Sequence, residues 1–396
     1  WDEIVAAPLA SANPGSTVFR NKADTLKAWS FEKIDAKQNV KSASYRFSGK
    51  LDFSPVENLN ITLGGTVDHR GSRDWNYSYS LYNYDNNAQR IDDTWRVFGR
   101  LTQKLGGKKG ADGEASKSLI KNAYYSLQVD YSKTKTILQD ETNEDRYFDY
   151  GYIGNFNILK NQGLVYRTPT IIQDPNTGII DTLFSEIGLV DPTTGDSIFY
   201  QQIALPGDSL VQFTPGGINT LTETYTSQYF NIASALGAPG YFQNLTQIRT
   251  NGGLRNGDRP ASTYGMWIMP GYTYNGYNRN EATQFRISAQ VNADIKDHAI
   301  TAGFEYEQRS DRGFAVAPVG LWSIMRLRAN ENNRELDLDN PLYVGNGTVN
   351  YDRLYTGDGT PGFFENLRDK LASSGYSNVG YTDFVNIDGV DRGLLS

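Results

Sequence analysis

Three sets of residues in this chain have types and spacings that bind or react. The first is a series of charged and amide side chains at even intervals within short runs: Arg46, Lys50, Asp52, Asp68, Arg96, Arg100, Asp130, Arg286, Gln290, Glu305 and Glu307. Guanidinium and carboxylate groups arrayed in this way pair with one another or with a polar solute. The second set lies in Asp74-Trp75-Asn76-Tyr77 and around Tyr272, Tyr274 and Tyr277. Ring faces beside amides and a carboxylate suit stacking and hydrogen bonding to a sugar or peptide. They equally suit loops packing on each other. The third set is Asp174, Asn176 and Asp181, a D-x-N-x-x-x-x-D spacing of oxygen donors that approaches a calcium loop. Its acidic density is low and turn chemistry accounts for the same residues, so calcium is the weaker reading and no cofactor is expected.

Catalytic chemistry is harder to find. No H-E-x-x-H, C-x-x-C, Walker or G-x-S-x-G pattern is present. His69 and His298 fall at opposite ends of the strands that the sequence pattern marks out, and cannot share a site. Gly357-Asp358-Gly359-Thr360-Pro361-Gly362 has no lysine after it and reads as a turn. The expectation is a protein that is not an enzyme. A formal net charge of −7 argues against nucleic acid as partner, and with no cysteine the chain forms no disulfide.

The elements that hold the first set are strands. In Tyr45-Arg46-Phe47-Ser48-Gly49-Lys50-Leu51-Asp52-Phe53, apolar and polar residues alternate, so the rings and Leu51 share one face and the charges the other. The same period recurs at 59–68, 95–101, 125–131, 285–293 and 300–307. Runs of about ten residues are long for a soluble strand and suit a tilted crossing of a bilayer. No run of eighteen apolar residues exists, and the mean hydropathy is −0.54, which excludes a helical membrane protein but not a barrel with a polar lumen.

The connections are alternately short and long, as in a barrel with brief periplasmic turns and extended outer loops. Strand one then runs inward and strand two outward. Under that orientation Tyr45, Trp95, Tyr131, Phe285 and Tyr306 collect at the outer ends of the apolar face. The expected fold is all-β: an antiparallel transmembrane β-barrel, six strands of it visible, with long extracellular loops. Residues 1–42 read as the end of an outer loop, 43–132 as four strands, 133–282 as a long outer loop, 283–309 as two strands and 310–396 as a further loop. The competing reading is a soluble extracellular β-sheet binding protein with one face on a core.

Within the long loop, Ile171 to Ile180 and Val190 to Ile198 read as hairpins around Pro-containing turns. Thr220-Leu221-Thr222-Glu223 has the form of a capping box opening a helix, and Phe364 to Leu371 is a second candidate helix. Trp1-Asp2-Glu3-Ile4 shows no start methionine or signal peptide, and Gly393-Leu394-Leu395-Ser396 is not an aromatic terminal strand, so both ends read as cut.

The unit from Tyr45 through Pro55 to Gly65, together with Gly303-Phe304-Glu305-Tyr306-Glu307-Gln308-Arg309, resembles TonB-dependent outer-membrane receptors of the large-looped type found in Bacteroidota, which are Gram-negative. The resemblance covers most of residues 43–309. It implies a 22-stranded barrel, an N-terminal plug and a TonB box, none of which is visible here beyond the six strands. It implies uptake of a bulky nutrient (oligosaccharide, peptide or chelate) captured by the outer loops. The implied partners are outer-membrane lipid, the TonB energy machinery and a surface lipoprotein lid. A structural or adhesive barrel that binds a partner protein without transport is the alternative.

Overall fold

A computed structural model describes residues 29, 32–33, 35, 37–105, 120–161, 164–166, 170–173, 177, 180–183, 192–195, 200–202, 207–235, 244–250, 252–260, 267–331, 336–345, 348–353, 362–380 and 383–395. In chain order the strands are β1 (Ser42–Val56), β2 (Leu59–Asp74), β3 (Ala88–Leu105), β4 (Ile120–Gln139), β5 (Gly154–Asn161), β6 (Leu164–Tyr166), β7 (Thr170–Gln173), β8 (Ile180–Leu183), β9 (Tyr200–Gln202), β10 (Gly207–Pro215), β11 (Tyr277–Ile295), β12 (His298–Val316), β13 (Leu336–Gly345) and β14 (Thr348–Arg353). The helices are α1 (Thr220–Ala235), α2 (Leu245–Thr250), α3 (Leu321–Arg328), α4 (Phe363–Ser373) and α5 (Arg392–Leu395). The chain divides into two compact units, one of residues 33–145 and 264–317, the other of 1–32, 146–263 and 318–396.

The first unit is a six-stranded antiparallel sheet in the order β1-β2-β3-β4-β11-β12. It is open, with β1 and β12 as its edges, so a closed barrel is not observed. All six alternating segments are strands of this sheet. Each strand is longer than its alternating core, because the outward extensions mix polar residues with isolated apolar ones such as Ile91, Ile137 and Phe314 and carry no clean period. β1 turns into β2 through Glu57 and Asn58, and β11 into β12 through Lys296 and Asp297. Asn58 (φ 72°) and Lys296 (φ 54°) supply the left-handed backbone such two-residue turns require. The turn expected over Ser54 to Asn58 is therefore tighter than its sequence suggests. Pro55 instead lies in β1, in an irregular stretch of an edge strand that asks for no N–H there. The link between β3 and β4 lies outside the described residues.

Register keeps the two faces apart. Leu51 is level with Leu63 and Gly99, Val129 with Ile287 and Tyr306, all on one face. Phe98 is the exception on the polar face, and its ring covers Gly64, where an added Cβ would sit 2.5 Å from it. Neither hydrophobic core of the described residues lies in this unit. Phe47 and Leu51 are 71% exposed and Phe304 65%, so the apolar face has no covering layer among the described residues.

The second unit does have cores. In one, Ile153 and Phe156 pack with Val211, Tyr229, Ile248 and Leu254 between the β10-β5 pair, α1 and α2. In the other, fully buried Trp322 of α3 stacks on Tyr152, meets Phe148 edge-on and donates its indole N–H to the Tyr150 carbonyl at 3.0 Å. Buried polar groups are satisfied with care. Arg326 forks onto Asp388 at 2.6 and 2.7 Å, and Asn256 accepts from the Ile153 and Gly154 N–H groups while donating to Asp388. Burial works against the Arg326 charge, but the hydrogen bond and attraction of Asp388 outweigh it and raise the guanidinium above its ordinary value. Arg368 of α4 donates to three carbonyls, those of Ala329, Gly380 and Asp383.

Both expected helices form. α1 begins as the Thr220–Glu223 pattern indicated, but the capping comes from Glu223, whose carboxylate accepts from the Ile218 and Asn219 N–H groups at 2.6 and 2.9 Å. The hairpin at Ile171 to Ile180 is β7 paired antiparallel with β8. The one at Val190 to Ile198 and the loop at Gly357 to Gly362 lie mostly outside the described residues. The described residues are mostly strand, and the five α-helices among them lie between or after the strands, so the chain is predominantly rather than wholly β. The substitution Trp322→Ala removes stacking and a hydrogen bond from a fully packed site. It is expected to destabilise this unit by about 3–5 kcal/mol, seen as loss of amide protection at Tyr150 and Tyr152 with the sheet amides unchanged.

Candidate functional site

Every residue of the first sequence-derived set lies on the polar face of the sheet, because β1, β2, β3, β4 and β11 place their even-numbered residues there and β12 its odd ones. Cross-strand register brings them into rows. Lys50, Gly64, Phe98, Asp130, Arg286 and Glu307 form one row, and Asp52, Thr62, Arg100, Gln128, Ser288 and Glu305 the next.

Asp130 is the hub. Its carboxylate, buried at 4% exposure, accepts from Arg96 on β3, from Gln128 at 2.7 Å and from Arg286 on β11 at 3.3 Å. Arg286 also approaches Glu305 at 4.0 Å, and Arg100 donates to Gln128 at 2.7 Å. One network thus crosses β3, β4, β11 and β12. Arg46 pairs with Asp68 and Lys50 with Asp52 at 2.8 Å on the first two strands, and Thr62 donates to Asp52. Gln290 and Glu305 line a polar concavity of about 620 Å³ with Arg100, Ser126 and Gln128. Gln128 is the member that sequence reasoning passed over, although its place between Ser126 and Asp130 marks its face.

The second set is brought together only in part. Two segments far apart in sequence meet where Ile268 donates to the Ser78 carbonyl at 2.7 Å and Asn83 to the Tyr272 carbonyl at 2.7 Å. Trp75 and Tyr77, 41% and 52% exposed, then form a ring cluster with Trp267, which lies 6.2 Å from Tyr77. Lys37 stands 5.5 Å over the Trp75 ring, and Asp74 ends β2 beside it. Tyr272 and Tyr274 are half-buried beside this cluster. Tyr277 is a correction. It begins β11, is 4% exposed and packs against Phe314, so it is a strand residue rather than a loop recognition group. Trp267 was missed because no pattern links it to 75–77. Partly exposed rings such as Trp75 and Tyr77 are of a type that stacks on a flat apolar or sugar surface.

Of the calcium candidates, Asp174 and Asn176 lie outside the described residues, and Asp181 is placed only as the backbone partner of Ile172. Among the described residues no group of three metal-binding side chains comes together. His69 and His298 do sit at opposite ends of the sheet, and His69 pairs with Asp93 at 2.6 Å.

Past the end of β4, Asp140 accepts from the Thr142 and Asn143 N–H groups at 3.1 and 3.0 Å. Burial pushes its carboxyl above the ordinary carboxylate value in spite of them. Comparison with protein-family models, curated proteins and solved structures finds no match.

This geometry predicts two outcomes. Asp130→Ala removes the carboxylate that Arg96 and Arg286 share, leaving Arg286 only the more distant Glu305, and is expected to lower stability by about 1–3 kcal/mol in urea unfolding. A raised Asp140 value means the protonated form favours the folded loop, so that stability is present below the ordinary carboxylate range and lost as pH rises through the raised value. Exchange protection of the Thr142 and Asn143 amides is expected to fall across that window. In Asp140→Asn it should be flat.

Proposed function

We propose that the sheet is part of the wall of an outer-membrane β-barrel whose polar face lines a lumen, and that it serves TonB-dependent uptake of a bulky nutrient captured by the outer loops. The observation that carries this reading is the uncovered apolar face. A soluble sheet with one apolar face buries it on a core, and fully burying each Phe or Leu there is worth about 1.5–3 kcal/mol. Here the charged face is the more enclosed of the two, with Asp130 and Thr62 buried while Phe47, Leu51, Leu63 and Val67 stay exposed, and the strands are long enough to cross a bilayer with tilt. Among the described residues no helix is long and apolar enough to cross instead.

The aromatic residues supply a second argument, because they measure the tilt. Tyr45 is level in register with His69, Asp93, Lys135, Glu281 and Arg312. The rings step inward from that line: Trp95 by two residues, Tyr131 and Phe285 by four, Tyr306 by six. Six residues of roughly 3.3 Å against five strand spacings of roughly 4.8 Å give a slope of about 40°. Barrel strands tilt by about 35–45° from the membrane normal, so a ring of interface aromatics drawn on this sheet lies flat in the membrane plane.

Supporting the outward direction, the connection after β2 and that after β4 leave from the aromatic end, while the two-residue turns lie at the other. The open edges β1 and β12 then continue into neighbouring strands of the wall. The Trp75, Tyr77 and Trp267 cluster stands at the outer end, where captured nutrient arrives. Transport, the TonB machinery, a lipoprotein lid and the Bacteroidota-type assignment rest on the family resemblance.

Both faces of the isolated sheet hold exposed side chains, Arg46 and Lys50 on one and Phe47 and Leu63 on the other, so a bilayer is what separates the readings. Single cysteines in place of Arg46, Arg100 and Arg286 are expected to react with a water-soluble maleimide in vesicles, while Phe47, Leu63 and Val291 replacements stay protected. Equal labelling of both sets would overturn the membrane reading, and the reverse pattern would invert the faces.

A further inference from the structure

The apolar face ends at a defined level on each strand, and beyond it on β4, β11 and β12 the same face carries a group of cations set among neutral polar residues. Outward of Tyr131 the same face carries Lys133 and Lys135, outward of Phe285 it carries Glu281 and Arg279, and outward of Tyr306 it carries Arg312. Glu281 takes Lys133 at 3.2 Å and Arg279 at 2.5 Å, so one carboxylate serves two cations. Asp93, the other acid at this level, is held by His69. Lys135 and Arg312 are register neighbours of Glu281 and make no ion pair among the described residues. Thr283, Gln308 and Ser310 fill the step between rings and cations with neutral donors.

We infer that this band seats the phosphate-bearing headgroup of a membrane lipid whose acyl chains lie on the apolar rows inward of it. The inference rests on the proposed barrel. Charge complementarity selects the headgroup, since a cluster of Lys and Arg beside a bilayer attracts lipid phosphate. Continuity selects a lipid over a free anion. The same three strands present Val129, Ile287 and Tyr306 in one row and Leu127, Ala289 and Phe304 in the next, directly inward of the cations. Height agrees as well. With the strands tilted as the rings indicate, Lys133 and Lys135 stand roughly 5 and 10 Å outside the level of the rings, within the headgroup layer and its outer fringe. The polar face at the same level carries Thr134, Ala282 and Asp311, and its one nearby cation on these strands, Arg309 a row inward, is held by Asp311, so Lys135 and Arg312, which make no ion pair among the described residues, lie on the lipid side.

The test uses the full chain in detergent micelles, with diphosphoryl lipid A and its dephosphorylated form as probes and native mass spectrometry as readout. The phosphorylated lipid is expected to bind more tightly. The double variant Lys133→Gln, Lys135→Gln should weaken it by roughly fivefold per charge removed without changing binding of the phosphate-free form. Glu281→Gln frees Lys133 and Arg279 and is expected to tighten binding, a gain that loss of structure cannot produce. Equal binding of both lipids, or an unchanged double variant, overturns the inference. So does full competition by inorganic phosphate, which would make the band a free-anion site. A chain that stays monodisperse with no detergent overturns the barrel reading itself, whereas micelle dependence without phosphate preference sinks the lipid site alone.

Discussion

Register that stays in phase from Phe53 to Val291, with irregularities only near the inner turns at 53–56 and 292–294, is the constraint on which the large sheet depends. Side chains alternate with a period of two, so a slip of one residue between any neighbouring pair would exchange the faces of everything beyond it. From Phe53 opposite Ile61 to Val291 opposite Ala302, no slip occurs through the alternating segments. Arg96, Asp130 and Arg286 are neighbours for that reason alone. The Asp130 network in turn holds the register, since its three donors come from β3, β4 and β11.

The two units of the chain are stabilised by different means. In the unit containing residues 146–263 and 318–396, apolar side chains are buried on each other, and buried polar groups such as Asn256, Arg326 and Arg368 are fully engaged. This is how a water-soluble domain holds itself together. The sheet has backbone ladders and ion pairs but no core of its own among the described residues. A sheet of this kind needs an apolar medium or partner against one face, and the sharp change from Val129 and Tyr131 to Lys133 marks where that medium would end.

Much of the sheet was legible before any coordinates, because alternation is local. Tyr45 to Phe53 states its own faces, and Arg46 and Phe47 could be assigned without knowing their neighbours. What alternation cannot state is pairing. His69 with Asp93, Gln128 as a bridge and Phe98 folded over Gly64 are cross-strand facts. Tyr277 was misread for a related reason: β11 extends outward past the point where its polar side chains stop alternating. Trp267 reached the Trp75 and Tyr77 rings through loop hydrogen bonds that leave no trace in spacing.

By itself, then, the sequence determined strand identity, the polar and apolar faces, two of the helices and the order of short and long connections. All of these depend on residues a few positions apart. Only the tertiary structure decided which charges meet, how far the rings step inward from strand to strand, and that no described residue covers the apolar face. Those depend on register and on distant segments, and a two-residue period is the same in every register that preserves the faces.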